Sequence, residues 1–433
     1  MNTRTEHELT RLIGSVAYPL ENDRDLDPLL EMIGEARYVL LGEASHGTHE
    51  YYTWRTRITK RLIEEKGFSF VAVEGDWPDC YRLNRYIKGY HDSGTGAAEV
   101  LHTFDRWPTW MWANWETVAL AEWMRTFNGS RSQEQKAGFY GLDVYSLWES
   151  MEAIIRYLEL NDPDAIPRVK EAMECFEPYN VREGFSYASA SYGILNSCAG
   201  AVGTILSTIR ERMDNHTTDR EAAFSAEQNA LVAVHAEQYF QVMLSGGAAS
   251  WNIRDRHMNE TLNRLMAFHG PEARAIVWEH NTHIGDARAT DMFASGLINV
   301  GQLVKEEHGK EGVFRIGFGS YEGSVIAASG WGQPMREMSL PPAKTGSWEH
   351  LLHTTGADDK LIFSADISAL REAVGHRAVG VVYDPANERG NYVPTLLPLR
   401  YEAFIYLDRT QALHPLHVHP DRYGIPETYP WGV

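Results

Sequence analysis

An α/β fold, a three-layer α/β/α core with a largely parallel sheet and a long helical insertion, is predicted by three features of the sequence. Short apolar runs recur and end in carboxylates, imidazoles or glycines, they alternate with amphipathic helical patterns, and residues 147–270 carry long helical patterns with few strand signals. Apolar runs separated by helices imply strands buried on both faces of a parallel sheet. The core then falls into a first part, residues 1–146, and a second, 271–433, with residues 147–270 as the helical insertion.

Residues 1–36 predict two short helices, with Leu9, Leu12 and Ile13, then Leu29, Leu30, Met32 and Ile33, as buried stripes. The run Val39-Leu40-Leu41 is too short for a buried helix and ends in Gly42-Glu43-Ala44-Ser45-His46-Gly47, which reads as a strand leading into a polar turn. Tyr51, Arg55, Ile58 and Leu62 then recur at helical spacing, with Thr48 as the expected cap and Glu50 suited to the positive end of the helix dipole. In parallel sheets such a turn faces the crevice at the carboxyl ends of the strands. A second strand over 68–73 ends in Glu74 and Gly75, and Pro78 opens the next helix. Residues 91–96 read as loop, and the segment 106–115 concentrates Trp107, Trp110, Trp112 and Trp115. A third strand, 137–143, ends in Asp143; helices follow at 201–213, 222–244 and 253–268. The run 273–278 returns as a strand and delivers Glu279, His280 and His283. Later strands are expected at 313–318, 361–364, 378–383 and 401–406, with 323–342 as loop carrying short strands.

Composition excludes some functions. A formal net charge of −19 over 433 residues argues against nucleic acid and anionic membrane surfaces, leaving a small-molecule substrate as the expected partner. Cys80, Cys175 and Cys198 are odd in number and lack metal-site spacing, so no disulfide framework and a reducing, cytoplasmic setting are expected. The first residues lack the apolar core of a signal peptide. The low-polarity stretch 192–206 is shorter than the roughly 18 to 20 residues of a membrane span and reads as a packed helix.

Parallel strands bring Glu43, His46, Glu74, Asp143, Glu279, His280 and His283 to one sheet edge. Each residue alone has an ordinary explanation as a helix cap or a hydrogen-bonded structural group; repetition at four strand ends is what points to a site. Ester hydrolysis by water needs a base, a group that orients the base, and donors where charge develops on the carbonyl oxygen. His46 suits the base, Glu43 or Glu74 its orienting group, and Arg55, His280 or His283 the oxyanion donor. No G-x-S-x-G nucleophile elbow occurs. The same histidines and carboxylates would also suit a zinc or manganese hydrolase. Trp112, Tyr145 and Asp143 are the first candidates for substrate contacts, while Trp107, Trp110 and Trp115 read equally well as core. His216, His235, His257, His414, His417 and His419 read as structural or solvated.

Gly42-Glu43-Ala44-Ser45-His46-Gly47, Val73-Glu74-Gly75, the tryptophan segment and Glu279-His280-Asn281-Thr282-His283 together resemble the erythromycin esterase family. The resemblance implies a hydrolase with an α/β/α core and a helical insertion, in which a histidine activates water to open a macrolide lactone ester without a metal or other cofactor. By motif His46 takes the general-base position, and Glu43, Arg55, Glu74, His280 and His283 match residues that hold the water and substrate. Macrolide specificity lies in loops and helices these motifs do not cover. Two alternatives stand beside this reading: a metal-dependent hydrolase built on the same residues, and a non-catalytic pocket for an amphiphile or glycan, of the kind labelled succinoglycan biosynthesis.

Overall fold

A computed structural model describes residues 3–179, 185–191, 197–213 and 219–417. Its strands are β1 (Tyr18–Pro19), β2 (Tyr38–Leu41), β3 (Phe70–Asp76), β4 (Gly138–Asp143), β5 (Ala275–Trp278), β6 (Val313–Ala328), β7 (Met335–Leu340), β8 (Lys360–Phe363), β9 (Val374–Arg377), β10 (Tyr392–Thr395) and β11 (Ala403–Thr410). A nine-stranded sheet has the order β1-β8-β11-β6-β2-β5-β3-β4, with β7 added to β6. From β11 to β4 all neighbours on that path are parallel, while the β11–β8, β8–β1 and β6–β7 pairings are antiparallel.

Alternation along the strands builds the layers. Val39, Leu41, Val71 and Val73 face a core with Ile58, Leu62, Leu83 and Leu120, whereas Leu40, Ala72, Tyr140 and Val277 face Leu262, Leu265, Val300 and Val304. Both faces of the sheet are therefore covered by helices. Between β4 and β5 the described chain is helical, running from Leu147–Asn161 to Ala248–His269, and carries its own apolar cluster around Ile154, Leu158, Ile205 and Phe240.

Register places the functional edge. Leu41 pairs with Trp278 and with Ile316, and Val73 with Trp278, so the chain leaves β2, β3 and β5 at one level. Gly42 and Gly47 permit the close turn between them. A Cβ at Gly42 would sit 2.1 Å from Asn281 Oδ1, and one at Gly47 would sit 1.9 Å from the Ile326 carbonyl oxygen.

Several expectations are corrected. Thr48 stands at the N-cap of the helix His49–Lys66, yet its side chain makes no cap hydrogen bond; the hydroxyl pairs instead with Ser45. Residues 378–383 do not form a strand. They cross the sheet end, where Val379 N–H donates to the Ala44 carbonyl (2.8 Å) and Val382 bridges to Ala328, while the strand itself is β9, paired with β10. Residues 323–328 continue β6 and pair with β7, rather than forming loop. Cys175 and Cys198 are joined by a disulfide within the insertion, their Cα atoms 5.9 Å apart. Sequence spacing did not show it because the helices of the insertion create the proximity. Cys80 is buried and unpaired. Part of the stretch 192–206 forms the helix Ala199–Met213; residues 192–196, His216 and His419 lie outside the described residues. No helix among the described residues is long and apolar enough to cross a membrane.

Candidate active site

His46 is held from behind. Its Nδ1 lies 2.8 Å from Glu43 Oε1, and Glu43 Oε2 accepts from Arg55 Nη2 at 2.6 Å. Arg55, two turns into the following helix, has no exposed surface, and its guanidinium lies 4.6 Å from the ring centres of both Tyr52 and Trp278. The Tyr52 hydroxyl donates to the carbonyl oxygens of His46 (3.2 Å) and Met111 (2.6 Å), which pins the turn to the tryptophan segment. With Nδ1–H donated to a carboxylate, a neutral His46 presents Nε2 as its basic nitrogen.

A second network meets this one at Glu74. Arg254, from the helix Ala248–His269, donates through Nη2 to Glu74 Oε1 (2.7 Å) and to Asp143 Oδ2 (2.6 Å), and through Nε to Asp143 Oδ1 (2.9 Å). Glu74 Oε2 accepts the His280 backbone N–H at 2.9 Å. Burial would raise the pKa of Glu74, but the charges of His283, Arg254 and His46 outweigh it and hold the carboxyl below its ordinary range. Burial acts on Asp143 in the same sense, and Arg254 again prevails, lowering it. His283 lies between carboxylates, with Nδ1 2.9 Å from Asp255 and Nε2 3.5 Å from Glu74. Burial disfavours its charged form, yet Asp255 and Glu74 prevail and its pKa is raised. Arg254 Nη1 also lies 3.1 Å from His283 Nε2, and donates there when the ring carries its proton on Nδ1 toward Asp255.

His280 differs from both other histidines. Its Nδ1 accepts from the Thr282 backbone N–H at 3.3 Å and lies 2.8 Å from the Thr282 hydroxyl, while burial, followed by the nearby His46, pushes its pKa well down. The ring is therefore neutral with its proton on Nε2. That nitrogen is buried and makes no hydrogen bond of full geometry among the described residues, although the Ala44 backbone carbonyl faces the ring and opposes the shift, and the ring centre is 5.0 Å from that of His46. Glu279 is fully buried, with neither oxygen hydrogen-bonded among the described residues; burial, with Glu74 and Asp255 nearby, raises its pKa well above the ordinary range.

A cavity of about 340 Å³ opens over these groups. Of the residues singled out in the sequence, His46, Glu74, Asp143, His280, His283, Trp112 and Tyr145 line it, whereas Glu43 and Arg55 lie behind His46. Trp112 donates its indole N–H to the Glu74 carbonyl at 2.9 Å. Trp107 also lines the cavity and packs against the exposed Trp331, while Trp110 belongs to the core. Arg254, Asp255 and Trp251, which stacks on His283 at 4.5 Å, were not singled out in the sequence. Their signal was faint: i, i+3 and i+4 positions on one helix, without the strand-end context that marked the others.

The far end of the cavity is acidic. Asp76 pairs with Arg106 and Asp79 with Arg82, and burial pushes Asp79 up to about 6. Glu149, close by, is pushed up to about 7 by burial and by the Asp76 charge. A carboxyl whose folded pKa is raised binds its proton more tightly when folded. Its contribution is therefore most favourable below the ordinary carboxylate range and declines as pH rises to about 7. Glu149→Gln should accordingly stabilise the protein above pH 7 by about 1 to 2 kcal/mol after allowance for solvent screening, and give no gain near pH 4. Urea unfolding at both pH values measures this.

The pattern of the erythromycin esterase family matches residues 63–410, most of the chain. The chain belongs to the erythromycin esterase family. The matched stretch begins after Glu43, His46 and Arg55, so their place in the site rests on the geometry above. One family relative, erythromycin esterase type II of Escherichia coli, is 23% identical over 388 residues, covering 81% of this chain and 86% of that protein. A solved structure of a succinoglycan biosynthesis protein superposes with a TM-score of 0.75 at 22% identity, covering 96% of this chain and 100% of that one. An erythromycin esterase point mutant in its open conformation gives a TM-score of 0.66 at 14% identity, over 90% and 95% of the two chains. At these identities the solved structures speak for the fold alone.

Proposed function

We propose that this erythromycin esterase family member is a hydrolase that cleaves a carboxylic ester or lactone with water activated by His46. The observation that carries the proposal is the buried line Arg55–Glu43–His46, which ends at the cavity beside the Nε2–H of His280. Water attacks the carbonyl carbon while His46 Nε2 takes its proton; Glu43 stabilises the imidazolium. His280 Nε2–H donates to the carbonyl oxygen as it becomes an oxyanion. Collapse of the tetrahedral intermediate breaks the ester C–O bond, and His46 returns the proton to the leaving alkoxide. Glu74 adds negative charge near His46 and fixes the His280 backbone.

Two roles expected from the sequence shift. Arg55 is sealed behind Glu43 and does not reach the cavity, so it anchors the orienting carboxylate and leaves the oxyanion to His280. Asp143 spends its carboxylate on Arg254, so it acts on a substrate only through that guanidinium. Trp107, Trp112, Tyr145 and Trp251 supply an aromatic wall suited to a large, mostly apolar acyl or alcohol part. A macrolide is one ligand of that class.

Metal-independent chemistry is supported by the commitments of the donor atoms. His46 Nδ1 is held by Glu43, His280 Nδ1 by Thr282, and both His283 nitrogens face carboxylates or Arg254. Two imidazole nitrogens remain beside Glu74 and Asp143, both held by Arg254, and among the described residues no three ligand atoms of the cavity lie within 4.8 Å of one another, as the three protein ligands of a catalytic zinc would. Protein stripped by chelator should hydrolyse members of a panel of aryl esters and lactones at its full rate per folded molecule. Binding without turnover across the panel at every pH would instead support a binding protein, and loss on chelation restored by one divalent ion would support a metallohydrolase.

A further inference from the structure

Away from the cavity, His49 begins the helix that follows the His46 turn, Glu116 lies in the first turn of the helix Trp115–Asn128, and His414 lies beyond β11. The two imidazoles place Nδ1 2.7 Å from the same atom, Glu116 Oε1, with their ring centres 5.3 Å apart and nearly perpendicular. Glu116 is 2% exposed and the histidines are half-buried. Three ligand atoms on segments far apart in sequence lie within 4.8 Å of one another. They also sit where three backbones are laced together. His49 N–H donates to the Gln411 carbonyl (2.9 Å), Leu413 N–H to Gly47 (3.1 Å), Trp115 N–H to His414 (2.9 Å) and Leu416 N–H to Ala113 (2.8 Å).

We propose that His49, Glu116 and His414 bind a zinc-type divalent cation that clamps the stretch 411–416 across the turn carrying His46. Two imidazoles and a carboxylate form a donor set suited to zinc, and too rich in nitrogen for magnesium or calcium. Zinc holds such donors at about 2.0 to 2.2 Å, which in a tetrahedron spaces them roughly 3.4 Å apart. The two 2.7 Å spacings to Glu116 would open by about 0.7 Å, and each imidazole would exchange its present hydrogen bond for the metal, a movement available to half-buried rings. His414 also lines a surface pocket with Thr109, Trp110 and Ser324, the side from which an ion approaches this ligand. His49, Glu116 and His414 do not line the cavity, so the ion has a clamping role and none in the chemistry proposed above. Because the ligands converge only in the folded chain, binding adds to folding stability. The reading of His414 as a structural residue is thereby extended to a ligand.

Full-length protein freed of metal and titrated with zinc chloride by calorimetry tests this, with cobalt(II) visible absorption reporting the coordination geometry. Wild type should take up one equivalent at about micromolar Kd or tighter, show tetrahedral cobalt bands, and melt about 2 °C or more higher in excess zinc. His414→Ala, at a half-buried ligand, and Glu116→Gln, which keeps the side-chain shape, should each lose at least about tenfold in affinity, together with the bands. His280→Ala should retain both. Absence of zinc binding by folded wild type overturns the proposal, as does binding that survives His414→Ala but is lost in His280→Ala.

Discussion

Replacing His46 with asparagine is expected to lower kcat for the hydrolysed ester by about 10²- to 10⁴-fold, the usual cost of removing a general base. The melting temperature should stay close to that of wild type, because the turn does not depend on the imidazole. The His46 carbonyl is held by the Tyr52 hydroxyl, and the Gly47 carbonyl accepts from Ile326 (3.0 Å) and Leu413 (3.1 Å). Arg55 continues to neutralise Glu43 when the ring is gone. If His46 were instead a structural residue, its loss would leave buried groups unsatisfied and cost roughly 1 to 3 kcal/mol, with activity per folded molecule intact. Calorimetric melting and steady-state kinetics on the same preparations separate the two.

Arg254→Met is expected to have the larger effect on stability. The side chain compensates Glu74 and Asp143 together, and removing one partner from a buried ion pair typically costs about 3 to 5 kcal/mol. In wild type both carboxyls have lowered folded pKa values, so their contribution is present above the ordinary carboxylate range and is lost as pH falls through those values. In the variant, burial acts unopposed by the guanidinium and both pKa values rise. The gap in stability between variant and wild type should therefore be widest near pH 7 and narrow as the carboxyls take up protons in acid. Urea unfolding at pH 7 and pH 4.5 measures it; a gap near zero at pH 7 would remove Arg254 from its anchoring place.

Much of the site was legible because of how parallel sheets are built. Val39 to Leu41 and Ala275 to Trp278 are runs buried on both faces, and both end where a polar residue meets the crevice, so His46 and His280 could be paired across a long sequence gap. Arg254 and Trp251 gave no such sign. Their role depends on where the helix Ala248–His269 packs against the sheet, a tertiary fact that helical periodicity does not encode. Residues 378–383 carry an apolar pattern fit for a strand, but Val379 is spent on the Ala44 carbonyl beside the turn that carries His46. Thr48 had the right residue type for a cap and found a nearer partner in Ser45. The Cys175–Cys198 bridge depends on the folding of the insertion, which spacing along the chain did not reveal.

The pH dependence of kcat/KM, measured on metal-free wild type and metal-free His46→Asn with the same ester, bears most directly on the assignment of His46 as the base that activates water. Wild type should show a rate that rises with the loss of one proton, and the variant should show only a low residual rate without that limb. The same ascending limb in both proteins, or a wild-type rate that disappears with the metal, would contradict it.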